Sequence, residues 1–340
     1  MSEYHKHLLI YIGGKFYLAR WIASHFPPHK VYVEPFAGGA HVLLKKPPSE
    51  QEVLADTNFD VINLYRQCRT NYQLLSEKTK AYHQYQSTAD NKNNWLHLRA
   101  DWKEGKIPEG DLDRAALFWY LHNHSWSGNF LASYSGHSKT SPGYGNKVFT
   151  SKVSNAERFV ARIKDVSLLV ADFEQTIQMF DSPDTLFYCD PPYIGTSLTK
   201  KDGKEYYNSA GFPHDRLAKI LNSIQGKACI SYYPHPSLLE LYPDWRVVSK
   251  MTRLNAYQKP FGTAGVVEAK HNSKVELLLM NYPLPPKVQI KIPRPVQIKV
   301  QSQSGPYISK CTRTFQNRGA LISHEKYCIR CPKWNTYIRR

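Results

Sequence analysis

Leu186-Phe187-Tyr188-Cys189-Asp190-Pro191-Pro192-Tyr193 is an apolar run of strand-forming residues that ends in an acid, two prolines and an aromatic ring. Proline has no amide hydrogen and a fixed φ, so neither a ladder nor a helix continues past Asp190. A carboxylate, rigid carbonyls and a flat ring are thereby gathered at a strand's C-terminal end, where open α/β sheets bind ligands. Asp-Pro-Pro also punctuates ordinary loops, so the choice between site and loop falls to the segments on either side.

Upstream, Leu8-Leu9-Ile10-Tyr11-Ile12 runs into Gly13-Gly14-Lys15, and helical spacing from Phe16 to Phe26 stops at Pro27-Pro28. Two glycines admit a ligand against the backbone and the lysine can meet a carboxylate, although a plain turn before an amphipathic helix fits as well. Val31-Tyr32-Val33 is a strand leading into Glu34-Pro35-Phe36-Ala37-Gly38-Gly39-Ala40, an acid and then a loop of small residues. The following His41 to Lys46 can start only a short helix before Pro47-Pro48. Val53-Leu54-Ala55-Asp56-Thr57-Asn58 is a second strand with an acid at its end, followed by a helix from Phe59 to Arg69. An acid about 20 residues after a Gly-rich turn is placed for ribose hydroxyls. Asp and Asn before a helix also serve as caps. Ser167-Leu168-Leu169-Val170-Ala171-Asp172-Phe173 is a third strand with an acid at its end, followed by a helix to Phe180, and Asp172 also fits a helix cap.

Past Tyr193, Ile194 to Ala210 reads as a flexible loop, Asp215 to Ile224 as a helix, and Ala228 to Tyr233 as a strand. Trp245 to Lys250 and Val275 to Tyr282 read as further strands. Strands alternating with helices predict a doubly wound α/β sheet.

From Asn71 to about Phe159 the character changes. A polar, helix-compatible stretch carries Tyr82, Tyr85 and Trp95, which look exposed, and Ala115 to His124 is a buried helix. Ser125-Trp126-Ser127-Gly128-Asn129-Phe130 then opens a Gly/Ser/Tyr-rich stretch through Gly145, too long for a structureless loop in a compact fold. It reads as an inserted domain with DNA-contacting loops. Its candidate contacts are Trp126, Ser127, Asn129, Tyr134, Lys139 and Lys147, with Ser135, His137, Ser138 and Tyr144 beside them. Each singly also fits an ordinary surface.

The 340 residues suffice for a sizeable core and predict two domains or one enlarged one. A formal net charge of +17 favours a polyanionic partner, although a merely basic protein has the same balance. Tyrosine and tryptophan interleaved with Lys/Arg suit base stacking beside phosphate contacts, and equally an aromatic core. Cys68, Cys189 and Cys229 lie in apolar surroundings and read as buried thiols. No secretory signal opens the chain and no apolar run approaches transmembrane length. The expectation is a cytoplasmic protein in a reducing compartment, with no membrane partner.

The ordered set Gly-Gly-Lys, Glu-Pro-Phe-Ala-Gly-Gly, Ala-Asp-Thr-Asn, an insert, Asp-Phe, Asp-Pro-Pro-Tyr and Glu-Leu-Leu-Leu-Met-Asn-Tyr resembles the Dam-like class of DNA adenine-N6 methyltransferases, from about Leu8 to Tyr282. The resemblance implies a Rossmann-like methyltransferase sheet over residues 1–70 and 160–282, with an inserted, mainly helical target-recognition domain over 71–159. It implies S-adenosylmethionine as methyl donor and double-stranded DNA as partner, in a monomer that works alone or beside a restriction endonuclease. Cofactor contacts then fall on Tyr11, Gly13, Gly14, Lys15, Glu34, Pro35, Phe36, Gly38, Gly39, Asp56, Asp172 and Asp190. The catalytic segment is Asp190, Pro191, Pro192 and Tyr193. Three departures stand out: Ala40 occupies a usual glycine position, Tyr11 a frequent tryptophan, and the insert lacks the arginine of the family's Asn-Gly-aromatic-Arg pattern. RNA as substrate, and an idle DNA-binding protein that kept the fold, are the alternatives.

Residues 283–340 hold 12 Lys/Arg and one acid. Residues 283–305 read as a basic, proline-rich linker and 306–340 as a small basic module. Cys311, His324 and Cys328 follow the spacing of the second half of a Cys₂His₂ finger, with Phe315 and Leu321 at its apolar positions and Cys331 as a fourth ligand. A zinc site and a decayed finger both fit that pattern.

Overall fold

The computed structural model describes residues 8–11, 13–83, 88–125, 128, 133–135, 149, 153–154, 156–195, 197–199, 205–208, 211–253, 273–283, 307–308 and 314–315. The chain divides into two units, Met1–Asp190 and Pro191–Arg340.

The first unit is built on four parallel strands, β1 (Val31–Glu34), β2 (Gln51–Asp56), β3 (Ser167–Val170) and β4 (Thr185–Cys189), in the order β3-β2-β1-β4. Every residue of β4 is buried, as is the body of β1 and β2, so these read as continuous apolar runs. Val33 pairs with both Val53 and Phe187, which brings the C-terminal ends of β1, β2 and β4 to one edge. The chain winds outward from β1 through β2 to β3, then returns to the other side of β1 as β4. The switch in direction lies between β1 and β4, with Glu34 and Asp190 on either side of it.

Helix α1 (Ala19–Ala23) is shorter than the expected Phe16–Phe26, because residues 16–18 and 24–25 form turns at its ends. His41 to Lys46 forms turns and no α-helix. Helix α2 (Phe59–Thr70) starts where expected, and Asn58 caps it by accepting from Asp60 N at 2.9 Å. Between α2 and β3 the described elements are the helices α3 (Tyr72–Ala81), α4 (Thr88–Lys103), α5 (Asp111–Asn123) and α6 (Glu157–Ile163), with an isolated antiparallel bridge between Ser125 and Tyr134. Helix α5 is buried from Ala115 to His122 on every face. It is tied to α2 by Asn63 donating to Asp111 O (2.8 Å) and by the Arg114–Asp60 pair, and to α3 by Lys78–Asp113 (2.7 Å).

Trp95 corrects the expectation of an exposed aromatic. It is 0% exposed on the otherwise polar α4, and its Nε1 donates to Leu121 O at 3.1 Å, so the indole is the anchor that holds α4 against α5. Tyr82 is half-buried and stacks on Tyr120, while Tyr85 lies outside the described residues. Between β3 and β4 runs α7 (Phe173–Phe180).

In the second unit β7 (Lys227–Tyr232), β8 (Arg246–Arg253) and β9 (Ser273–Met280) form an antiparallel arrangement with β9 between the other two. Helices α8 (His214–Leu221) and α9 (Leu238–Leu241) accompany them. Residues within the expected flexible loop instead form an antiparallel pair, β5 (Ser197–Thr199) with β6 (Glu205–Asn208), since Leu198 and Tyr207 supply strand-forming residues on facing arms. Of the C-terminal region, β10 (Tyr307–Ile308) and β11 (Thr314–Phe315) pair antiparallel. Cys311, His324, Cys328 and Cys331 lie outside the described residues. No described helix is long and apolar enough to cross a membrane.

Candidate active site

Asp190 is the first residue after β4, released from the ladder by the prolines that follow. Lys15 reaches it from the Gly-Gly turn: Nζ lies 2.7 Å from Oδ1 and 2.9 Å from Oδ2, and also donates to Gly13 O at 2.7 Å. The lysine is buried (6% exposed) and the carboxylate is partly open. Gly13 adopts φ +74°, in the left-handed region, which turns its carbonyl back onto the ammonium. Gly14 and Gly39 share one neighbour, His41: a Cβ at either position would stand 2.6 Å from its ring, so both turns pack on the imidazole.

The acid after β2 is tied to the Gly-rich turn after β1. Asp56 Oδ2 accepts from Gly38 N at 3.0 Å and Oδ1 from Asn58 N at 2.9 Å. Burial pushes this carboxyl above its usual range, against the lowering effect of those two N–H donors. The carboxylate keeps further lone pairs for a ligand hydroxyl. Tyr65 donates to Gly38 O at 2.8 Å. Gly38 itself sits at φ +41°, and a Cβ there would meet the Tyr11 ring at 3.1 Å, so backbone lies flat against that ring. Ala40, at φ +46°, is the one non-glycine residue at positive φ among the described residues, which explains why glycine is usual at this position.

Glu34 is buried, with Oε1 accepting from Tyr32 OH (2.8 Å) and Leu43 N (2.7 Å). Burial pushes its carboxyl up to about 8. Pro35 is buried beside it, and Phe36 stacks on Phe173 at 5.6 Å. Asp172 caps α7, accepting from Glu174 N at 2.9 Å, which is the cap role weighed for it above.

In the second unit, Pro191 is buried, Pro192 is half-buried, and Tyr193 is 7% exposed. Tyr193 donates its hydroxyl to Glu276 Oε1, meets Tyr233 edge-on at 4.6 Å and lies 5.5 Å from Tyr232. The ring is therefore fixed in direction by its own phenol and by two neighbours.

Of the insert candidates, Trp126, Ser127, Asn129, Lys139 and Lys147 lie outside the described residues. Tyr134 is buried, stacked on His124 at 5.5 Å and beside Trp95, so its ring is packed into the protein. Several residues that organise the first unit's strand-end turns carry no motif: Tyr32, His41 and Tyr65. In the second unit, Glu276, the acceptor for Tyr193, opens the Glu-Leu-Leu-Leu-Met-Asn-Tyr stretch, though nothing in that stretch names its partner.

A parallel sheet carrying a Gly-rich turn, two strand-end acids and a buried Lys–Asp pair at its switch point defines an α/β protein of nucleotide-binding type. Residues 11–258 match the D12 class of N6 adenine-specific DNA methyltransferases, and the chain belongs to that family. It is 28% identical over 250 residues to the DNA N-6-adenine-methyltransferase of Escherichia phage P1, covering 72% of this chain and 32% of that longer protein. It is 29% identical over 234 residues to the DNA adenine methylase of Haemophilus influenzae, covering 67% and 78% of the two chains. Against the Retron Ec67 DNA adenine methylase of Escherichia coli it is 27% identical over 282 residues, covering 81% and 90%.

Proposed function

We propose that this protein methylates N6 of an adenine flipped out of a specific DNA sequence, with Asp190 as the group that orients the amine. The observation that carries the reading is the Lys15–Asp190 pair at the sheet's switch point. S-adenosylmethionine fits the residues present. Gly38 is laid against Tyr11 where a side chain would fill the space, and Asp56 fixes that turn while keeping acceptor capacity. Tyr11, Gly38 and Asp56 would hold it, with Lys15 beside them. When bound, it supplies a methyl group on a sulfonium, already activated for transfer.

The adenine amine is the poor partner, because its lone pair is delocalised into the ring. Asp190 and the carbonyl of Pro191 accept hydrogen bonds from the amine, aim its lone pair and stabilise the positive charge that develops there. The proton leaves after attack, when the nitrogen has become acidic; a neutral exocyclic amine is too weak an acid for removal beforehand. Tyr193 stacks on the base. A base inside a duplex cannot reach such a position, so the adenine is extruded at a cost of a few kcal/mol.

The test is incubation with methyl-labelled cofactor and DNA, RNA or no nucleic acid, followed by digestion to nucleosides. Label in N6-methyladenine from DNA is the expected result. Label in RNA alone, or in neither, overturns the reading. For the tail, the spacing of Cys311, His324, Cys328 and Cys331 supports a bound zinc ion. Metal analysis of full-length protein should find zinc near one per chain, and its absence refutes that site.

A further inference from the structure

The segment that carries Tyr11 is fastened by α5 and the turn after it. Trp119 Nε1 donates to Leu8 O at 2.8 Å. His122, 6% exposed, lies against the backbone of Ile10 and Gly128. Its ring stacks on Tyr11 at 5.8 Å with an interplanar angle of 12° and lies 4.2 Å from Phe118. Gly128, at φ +67°, presses so closely that a Cβ there would stand 2.4 Å from Ile10 O and 2.8 Å from Tyr11 N. The Tyr11 ring thus meets both Gly38 of the Gly-rich turn and the His122 imidazole. Burial lowers the His122 pKa to about 4, so a neutral ring backs Tyr11 throughout the physiological range.

We propose that His122 is a positioning residue for the methyl donor: its ring holds Tyr11 at the angle required to meet the cofactor, linking α5 to the cofactor site. This rests on the reading of Tyr11 as a cofactor contact. In the sequence, α5 is followed within a few residues by Trp126, Ser127 and Asn129, candidate DNA contacts that lie outside the described residues.

Two substitutions separate the stacking role from a merely structural one. His122→Gln keeps a neutral hydrogen-bonding group but removes the ring; His122→Phe keeps a flat ring but loses the ring nitrogens. Dissociation constants for S-adenosylmethionine would be measured by calorimetry on the full chain, with thermal melting of each variant alongside and Tyr11→Leu as a control. The proposal expects roughly fivefold weaker binding for H122Q and near wild-type binding for H122F, whichever melts lower. Unchanged affinity in H122Q, or equal weakening in both, overturns it. Unchanged affinity in Y11L instead shows that Tyr11 does not meet the cofactor, and removes the reading beneath.

Discussion

Lys15 and Asp190, 175 residues apart, meet with Nζ 2.7 Å from one carboxylate oxygen and 2.9 Å from the other. The contact joins the Gly-Gly turn near the start of the chain to the end of β4. The ammonium compensates the charge of the Asp190 carboxylate and fixes its direction. Asp190 and Gly13 O offset the cost of burying this ammonium.

Removing the charge while keeping the stem tests that link. Lys15→Met should lower kcat/KM at least tenfold, equivalent to about 1.4 kcal/mol of transition-state stabilisation. Steady-state kinetics with DNA in excess checks it, and normal turnover would mean that the pair only supports the fold.

Tyr193 and Glu276 should behave as a coupled pair. Tyr193→Phe withdraws the hydroxyl donor from a buried carboxylate and should cost about 1–3 kcal/mol of stability. Adding Glu276→Leu should recover part of that loss, since the carboxylate left without its phenol donor is then removed as well. Denaturant melts of the two single variants and the double one give the cycle; strict additivity would show that the contact contributes nothing.

Glu34 predicts a pH dependence with a definite sign. Its folded pKa, about 8, lies above the unfolded value of 4.5, chiefly because it is buried. The folded state therefore holds a proton that the unfolded state gives up between those values. The resulting stabilisation is fully present below about 4.5 and declines as pH rises to about 8. Gln can accept the same bonds from Tyr32 and Leu43 without titrating. The melting temperature of the wild type relative to Glu34→Gln should fall from pH 5 to 8 and level off above. A difference that stays flat through that window would contradict the assignment.

The strand ends were the legible part of this protein. Asp190, Glu34 and Asp56 follow apolar runs closed by proline, glycine or a helix cap, and such punctuation acts locally, within a few residues. Asp172 was legible as a cap for the same reason. What escaped depends on partners far along the chain. Glu276 meets Tyr193 across 83 residues, and Trp119 meets Leu8 across 111, with no periodicity to announce either. Trp95 misled because α4 is polar along most of its length, and its few apolar residues, Trp95, Leu98 and Trp102 among them, are set among charged and amide side chains. The antiparallel direction of β7, β8 and β9 was also hidden, because alternation of strands and helices does not encode direction.

The central claim is that Asp190 orients the amine that receives the methyl group. The direct measurement is single-turnover transfer of labelled methyl to unmodified DNA by Asp190→Ala, with cofactor and DNA binding measured on the same preparation. Because that change strands a buried lysine, Asp190→Ala combined with Lys15→Met serves as the version without an unpaired charge. Loss of transfer by roughly a thousandfold or more, with folding and DNA binding retained, is the predicted result. Near-normal transfer by either variant would contradict the account.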